Sequence, residues 1–130
     1  MNIRFLTVAE IIEIHDEEIT AAGGAEGIRD VELLESAVGA AHATFEGKYL
    51  MNIFEMAATY INSLSFNHPF IDGNKRAAAA SALTFLYLNG YLINEKYEEE
   101  LADTLLNLIN RKINKEDIVK YLETRSEKLE

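Results

Sequence analysis

Cysteine is absent from the 130 residues, and proline occurs once, at Pro69. Without thiols, the chain can have no disulfides, zinc–thiolate sites, iron–sulfur clusters or cysteine nucleophiles. There are only seven glycines. With so few breakers, long helical stretches survive. No apolar run approaches the ~18 residues that a membrane span requires, so no membrane association is expected. Met1 to Phe5 lacks the apolar stretch of a signal peptide, and a cytoplasmic location is expected. Basic residues are outnumbered, 12 against 22 acidic ones, for a formal net charge of −10. A field of that sign repels phosphate backbones and argues against direct nucleic-acid binding. One small local anion site remains compatible with it. The acidic excess collects in Glu95–Glu100 and Glu116–Glu130, which read as solvated helix faces.

The remaining composition is that of an ordinary globule, 48% hydrophobic and 26% charged. The length suits one domain over residues 1–130. Thr7-Val8-Ala9-Glu10 has the form of a capping box. Val8, Ile11, Ile12 and Ile19 then outline an apolar face that ends before Gly23-Gly24. Gly27 to Asp30 reads as a turn into a helix capped by Asp30 and continued by Leu33, Leu34, Ala37, Val38 and Ala41. Thr44–Leu50 lacks a period and reads as a loop or short hairpin. Asn52 and Glu55 start another helix, whose stripe is Ile53, Met56, Ala57, Tyr60, Ile61 and Leu64. It should end near Asn67, because Pro69 pushes His68 out of helical geometry. A helix from Asn74, rich in alanine and apolar nearly all round, closes at Asn89-Gly90 and is expected at the centre of the fold. Two more helices are predicted, Glu95–Asn110 and Asn114–Glu127, with Asn114 and Asp117 marking the start of the second.

Chemistry concentrates in His68-Pro69-Phe70-Ile71-Asp72-Gly73-Asn74-Lys75-Arg76. His68 can exchange a proton near neutral pH. Asp72 is a hard oxygen donor suited to magnesium. Gly73 and Asn74 allow a tight turn with outward N–H groups. Lys75 and Arg76 stand in the first turn of the next helix, where the dipole disfavours cations by ~0.3–1 kcal/mol each. That placement makes sense if an anion, phosphate above all, sits on the helix end. Phe70 and Ile71 should point the other way and pin the loop to the core. His15 and His42 lack partners at metal-ligand spacing and read as structural or surface residues.

The segment resembles the Fic/Doc motif, His-x-Phe-x-Asp/Glu-Gly-Asn-x-Arg, through His68, Phe70, Asp72, Gly73, Asn74 and Arg76. The likeness extends to His15-Asp16, Gly23-Gly24, Gly27 with Asp30, Asn52 to Glu55, Ala58 to Tyr60, Ser81 to Leu83 and Asn89-Gly90, which are similar to the short death-on-curing (Doc) toxins. The resemblance implies an all-α fold, a compact helical bundle with a short flap before the motif helix, at Thr44–Leu50. It also implies an ATP–magnesium site. There His68 would be the general base, Asp72 would help hold magnesium, and Gly73, Asn74, Lys75 and Arg76 would bind nucleotide phosphates.

Two positions separate the family's branches. AMP-transferring members usually have glycine between the asparagine and the arginine, and a second arginine three residues after the first. Here those positions are Lys75 and Ala79. Both resemble the Doc branch, which phosphorylates elongation factor Tu. Pro69 and Gly73 are instead spellings common among AMP transferases. The resemblance therefore implies γ-phosphate transfer from ATP to a protein hydroxyl, with adenylyl transfer as the alternative. A non-catalytic interaction module is a second alternative. The inhibitory Ser/Thr-x-x-x-Glu-Gly/Asn motif is absent, since Glu46-Gly47 is preceded by His42 at the first position. A brake in trans is implied, a small Phd-type antitoxin whose C-terminal segment folds onto this chain.

Overall fold

The computed structural model describes residues 2–130. Helix α1 (Val8–Ala22) starts at the Thr7 capping box: Thr7 accepts from the Glu10 N–H, and the Glu10 side chain accepts from the Thr7 N–H. Helix α2 (Val31–Gly39) is capped by the Asp30 carboxylate. A single 3-10 turn, Ala40–His42, follows it. The flap is a hairpin of β1 (Thr44–Phe45) and β2 (Lys48–Tyr49). Its two-residue connection, Glu46-Gly47, has positive φ at both positions, the turn that suits twisted antiparallel strands.

Helix α3 (Ile53–Asn67) opens on a second capping box, Asn52 with Glu55. Helix α4 (Asn74–Leu88) runs against it. α3 also packs on α2 and on α6 (Lys115–Arg125), while α1 lies against α4. The core is therefore built around the α3–α4 pair. Tyr60 and Phe85 meet there with ring centroids 5.2 Å apart. The Tyr60 hydroxyl accepts from the Leu6 N–H, and burial pushes its pKa up to about 12. The alanines of α4 serve this packing, since Ala77, Ala78 and Ala82 are fully buried and let α3 approach closely. Tyr87 and Leu88, at the end of α4, face outward instead. Asn89 caps α4, and its side chain ties the helix end to the main chain of Arg4.

The all-α architecture is present, with two small two-stranded sheets added to it among the described residues. The second sheet departs from the predicted helices. The stretch expected as one helix over Glu95–Asn110 begins with a 3-10 turn, Glu95–Tyr97, capped by Asn94, and then becomes α5 (Glu98–Ile109). The last helix stops at Arg125 and not at Glu127. Ser126–Lys128 instead forms β4 and pairs antiparallel with β3 (Tyr91–Ile93). The pairing satisfies backbone groups that solvent would otherwise hold, and this outweighs the helix propensity of a short Glu- and Lys-containing tail.

Candidate functional site

Pro69 ends α3, as expected, and His68 takes its C-cap position in the left-handed region, φ 48° and ψ 55°. A non-glycine residue there costs about 1 kcal/mol and needs outside support. Arg29 supplies it. The guanidinium donates to the carbonyls of Asn67 and His68 at 2.8 and 2.6 Å, which also satisfies the last carbonyls of α3. The His68 side chain is exposed at the rim of an open cleft of about 560 Å³. The same cleft is lined by Ile71, Asp72, Gly73, Asn74, Lys75 and Arg76. The structure thus gathers the six residues His68, Asp72, Gly73, Asn74, Lys75 and Arg76 around one space.

Their roles in building that space differ. The Asn74 amide is engaged with its own loop: Oδ1 accepts from the Phe70 N–H at 2.9 Å and Nδ2 donates to the Phe70 carbonyl at 3.0 Å. Asn74 therefore closes the turn with its side chain. Gly73 caps α4 at φ 75°, a conformation that glycine adopts without strain. Its N–H donates to Asp72 Oδ1 at 2.8 Å. Asp72 Oδ2 accepts from the Ala25 N–H at 3.1 Å. These two backbone donors, Ala25 foremost, hold the Asp72 carboxyl below the ordinary carboxylate range, with a smaller contribution from Arg76. The group is ionised at neutral pH and exposed.

No side chain caps the N-terminus of α4, and no acid stands in its first turn. The other helices carry acids there: Glu10, Glu32, Glu55, Glu98 to Glu100, and Glu116 with Asp117. The positive end of α4 is left to Lys75 and Arg76, and so combines unpaired N–H groups with two cations. Lys75 is exposed. Arg76 is half-buried and donates to the Gly23 carbonyl at 2.8 Å. Ala79, one turn further, packs against the core and brings no charge.

Phe70 is buried, as expected, but Ile71 is not. Ile71 is 58% exposed and lies over Gly27, where a Cβ would come within 2.9 Å of its Cδ1. The loop is pinned by Phe70 and by its backbone instead. The Ile71 N–H donates to the Gly27 carbonyl at 3.1 Å, and the Pro69 carbonyl accepts from the N–H groups of Arg29 and Asp30. Ile28 and Phe70 form an antiparallel bridge. Residues 23–30 are thus a strap across the motif and not a simple turn. Every second residue of it serves the site: Gly23 holds Arg76, Ala25 holds Asp72, Gly27 holds Ile71 and Arg29 holds Pro69.

Sequence reasoning missed the strap, Arg29 and the position of His15. His15 is buried in α1, with Nε2 2.7 Å from the Asp72 carbonyl. Its signal was available: Ile11, His15 and Ile19 share one buried stripe, and a polar ring on such a stripe needs a partner. His42 is elsewhere, stacked on Phe5 with centroids 3.7 Å apart. Among the described residues, no three His, Cys, Asp or Glu side chains cluster as a metal cage. Among the described residues, no helix is long and apolar enough to cross a membrane.

The geometry joins an exposed imidazole, a fixed carboxylate and a cationic helix end. The chain is 36% identical over 100 residues to "Protein kinase doc" of Escherichia phage P1, covering 77% of this chain and 78% of that protein. It is 39% identical over 88 residues to "Toxin Doc" of Mycolicibacterium smegmatis, covering 67% and 68%. Residues 5–86, which hold α1 to α3, the flap, the strap, the motif loop and most of α4, match the model of the Fic/DOC family. It is to this family, the Fic/DOC family, that the chain belongs.

Proposed function

We propose that the chain is a Doc-like toxin that transfers the γ-phosphate of ATP to a hydroxyl of a protein target. The observation that carries this reading is the pairing of the His68 ring with the uncapped, doubly cationic N-terminus of α4 across one cleft. Phosphoryl transfer asks mainly for in-line positioning and neutralisation of charge. Arg76, Lys75 and the first-turn N–H groups of α4 bind and orient the phosphates. His68 takes the proton of the attacking hydroxyl as it bonds to phosphorus and ADP leaves. The names of the two relatives, a protein kinase and a toxin, support both halves of the reading.

Magnesium fits the residues present. Asp72 is an ionised oxygen donor beside the anion site, with lone pairs left over from its two N–H partners. A single carboxylate without a protein cage suits an ion that arrives on nucleotide phosphates. When bound, it would neutralise charge on the phosphate oxygens. Lys75 and Ala79 favour the phosphoryl over the adenylyl reading, because Ala79 supplies no guanidinium from its position to clamp the far phosphate. By the same resemblance the target is elongation factor Tu, the outcome is arrested translation, and the neutralising partner is a Phd-type antitoxin.

The test is paired labelling. The purified protein is incubated with elongation factor Tu, or with lysate, and ATP labelled at the γ- or the α-phosphate. Label from γ alone supports the kinase reading. Label from α makes the chain an AMP transferase. Transfer from neither, with no rise in Tm on adding ATP and magnesium, leaves an interaction module.

A further inference from the structure

We propose that His15 is a positioning residue that fixes the orientation of the Asp72–Gly73 peptide at the mouth of the anion site. The inference deepens the transfer reading above and rests on it for its functional consequence.

The ring is 1% exposed, on the core side of α1. Its Nε2 lies 2.7 Å from the main-chain carbonyl of Asp72. A carbonyl only accepts, so in this bond Nε2 is the donor and carries a proton. The ring face stacks on Phe70, with centroids 3.8 Å apart and planes 5° from parallel. A Cβ at Gly73 would stand 3.5 Å from the same Nε2. His15 therefore fills the inside of the turn from Phe70 to Gly73. Nδ1 has a looser neighbour, Asp16 Oδ1 at 3.5 Å.

The consequence follows from peptide geometry. The Asp72 carbonyl and the Gly73 N–H belong to one planar trans unit and point in opposite directions. With the carbonyl drawn inward to His15, the Gly73 N–H faces outward and meets Asp72 Oδ1. Glycine tolerates positive and negative φ alike, so the turn residues do not by themselves select this orientation. A flipped peptide would aim a carbonyl oxygen at the end of α4 and repel an anion there. It would also release the Asp72 carboxylate from one of its two donors. His15 selects the orientation that presents donors and not an acceptor.

Two variants separate the bond from the packing. His15→Phe keeps the ring and removes the donor; His15→Gln keeps a donor at the Nε2 position and removes the ring. The first readout uses the unliganded protein: hydrogen exchange of the Gly73 and Ala25 amides, followed by NMR. Expected is loss of protection in His15→Phe, retention in His15→Gln, and unchanged protection of core amides of α3 in both. The second readout is calorimetric affinity for ATP with magnesium, which should weaken about tenfold or more in His15→Phe and far less in His15→Gln.

Unchanged exchange and affinity in His15→Phe would overturn the proposal. So would equal losses in both variants together with core protection, the mark of a merely structural residue. If neither variant folds, the wild-type imidazole decides: a proton found on Nδ1 and not on Nε2 overturns it. If wild type binds no ATP, the transfer reading fails while the exchange comparison still judges His15.

Discussion

Arg29 Nε donates to the carbonyl of His68 at 2.6 Å, from a position 39 residues earlier in the chain. This bond sets the backbone of the residue that carries the cleft's imidazole, yet it touches only the main chain. Arg29→Ala should lower stability by about 1 kcal/mol, since it uncaps the C-terminus of α3 at a solvent-exposed site. Transfer should fall further than ATP affinity, because the phosphate residues keep their own anchors. Denaturant unfolding and labelled transfer, measured side by side, check both parts.

His68 itself carries two separable effects. His68→Ala should reduce transfer by ~10²–10⁴-fold and leave ATP binding essentially intact. Equal loss of both would remove the general-base role. His68→Gly should be equally inactive, yet more stable than the alanine variant by about 1 kcal/mol, because the left-handed backbone no longer opposes a side chain. Thermal unfolding of the two variants measures that difference.

Arg76 lines the cleft and bonds the strap together. Arg76→Ala should weaken ATP binding by about tenfold or more, the scale of one charged hydrogen-bonded contact. It also frees the Gly23 carbonyl. Arg76→Lys should recover only part of the affinity, since an ammonium cannot reproduce the guanidinium fork. Calorimetric titration with ATP and magnesium is the measurement.

Gly24 sits at φ 126°, and a Cβ there would stand 2.7 Å from Asp72 Oδ2 and 3.1 Å from Arg76 Nη2. Gly24→Ala should therefore cost both stability and nucleotide affinity. Gly47→Ala is the control, because its φ is also positive, 78°, but nothing lies within 4 Å. That variant should lose only the backbone penalty, about 1 kcal/mol.

Glu10 gives the pH dependence. The Arg4 guanidinium and then the Thr7 N–H lower its pKa to about 2 from an ordinary 4.5. A depressed carboxyl stabilises the fold above the unfolded value and loses that contribution as pH falls through the folded one. Glu10→Gln should be less stable than wild type at neutral pH. The gap should close between about pH 5 and pH 2. Urea unfolding across that range tests it.

The legible parts of this fold were the local ones. Thr7 with Glu10, Asn52 with Glu55, Asn114 with Asp117, and Asp30 announce helix starts from residues three apart, and each cap is in place. The motif from His68 to Arg76 announced where these side chains would gather, because its members are sequence neighbours, and they line one cleft. The illegible parts depend on which distant segments meet. Ser126–Lys128 reads as more helix until Tyr91–Ile93 lies beside it. Ile71 reads as core until Pro69 and Phe70 are seen to hold the loop and Gly27 is found beneath it. Nothing within nine residues could reveal the strap, whose bonds join positions 23–30 to positions 67–76.

Surface connections usually tolerate changes of length, because the entropy of closing a loop grows slowly with added residues. Residues 23–30 form an exception. Their alternating contacts act like the teeth of a rack, each meshing with a set point between Pro69 and Arg76. Removing one residue would slip every tooth after it, turning donors where acceptors stood. Insertions between Ala22 and Val31 should therefore be far rarer in functional variants of this chain than insertions at Glu46-Gly47, where the hairpin tip is exposed.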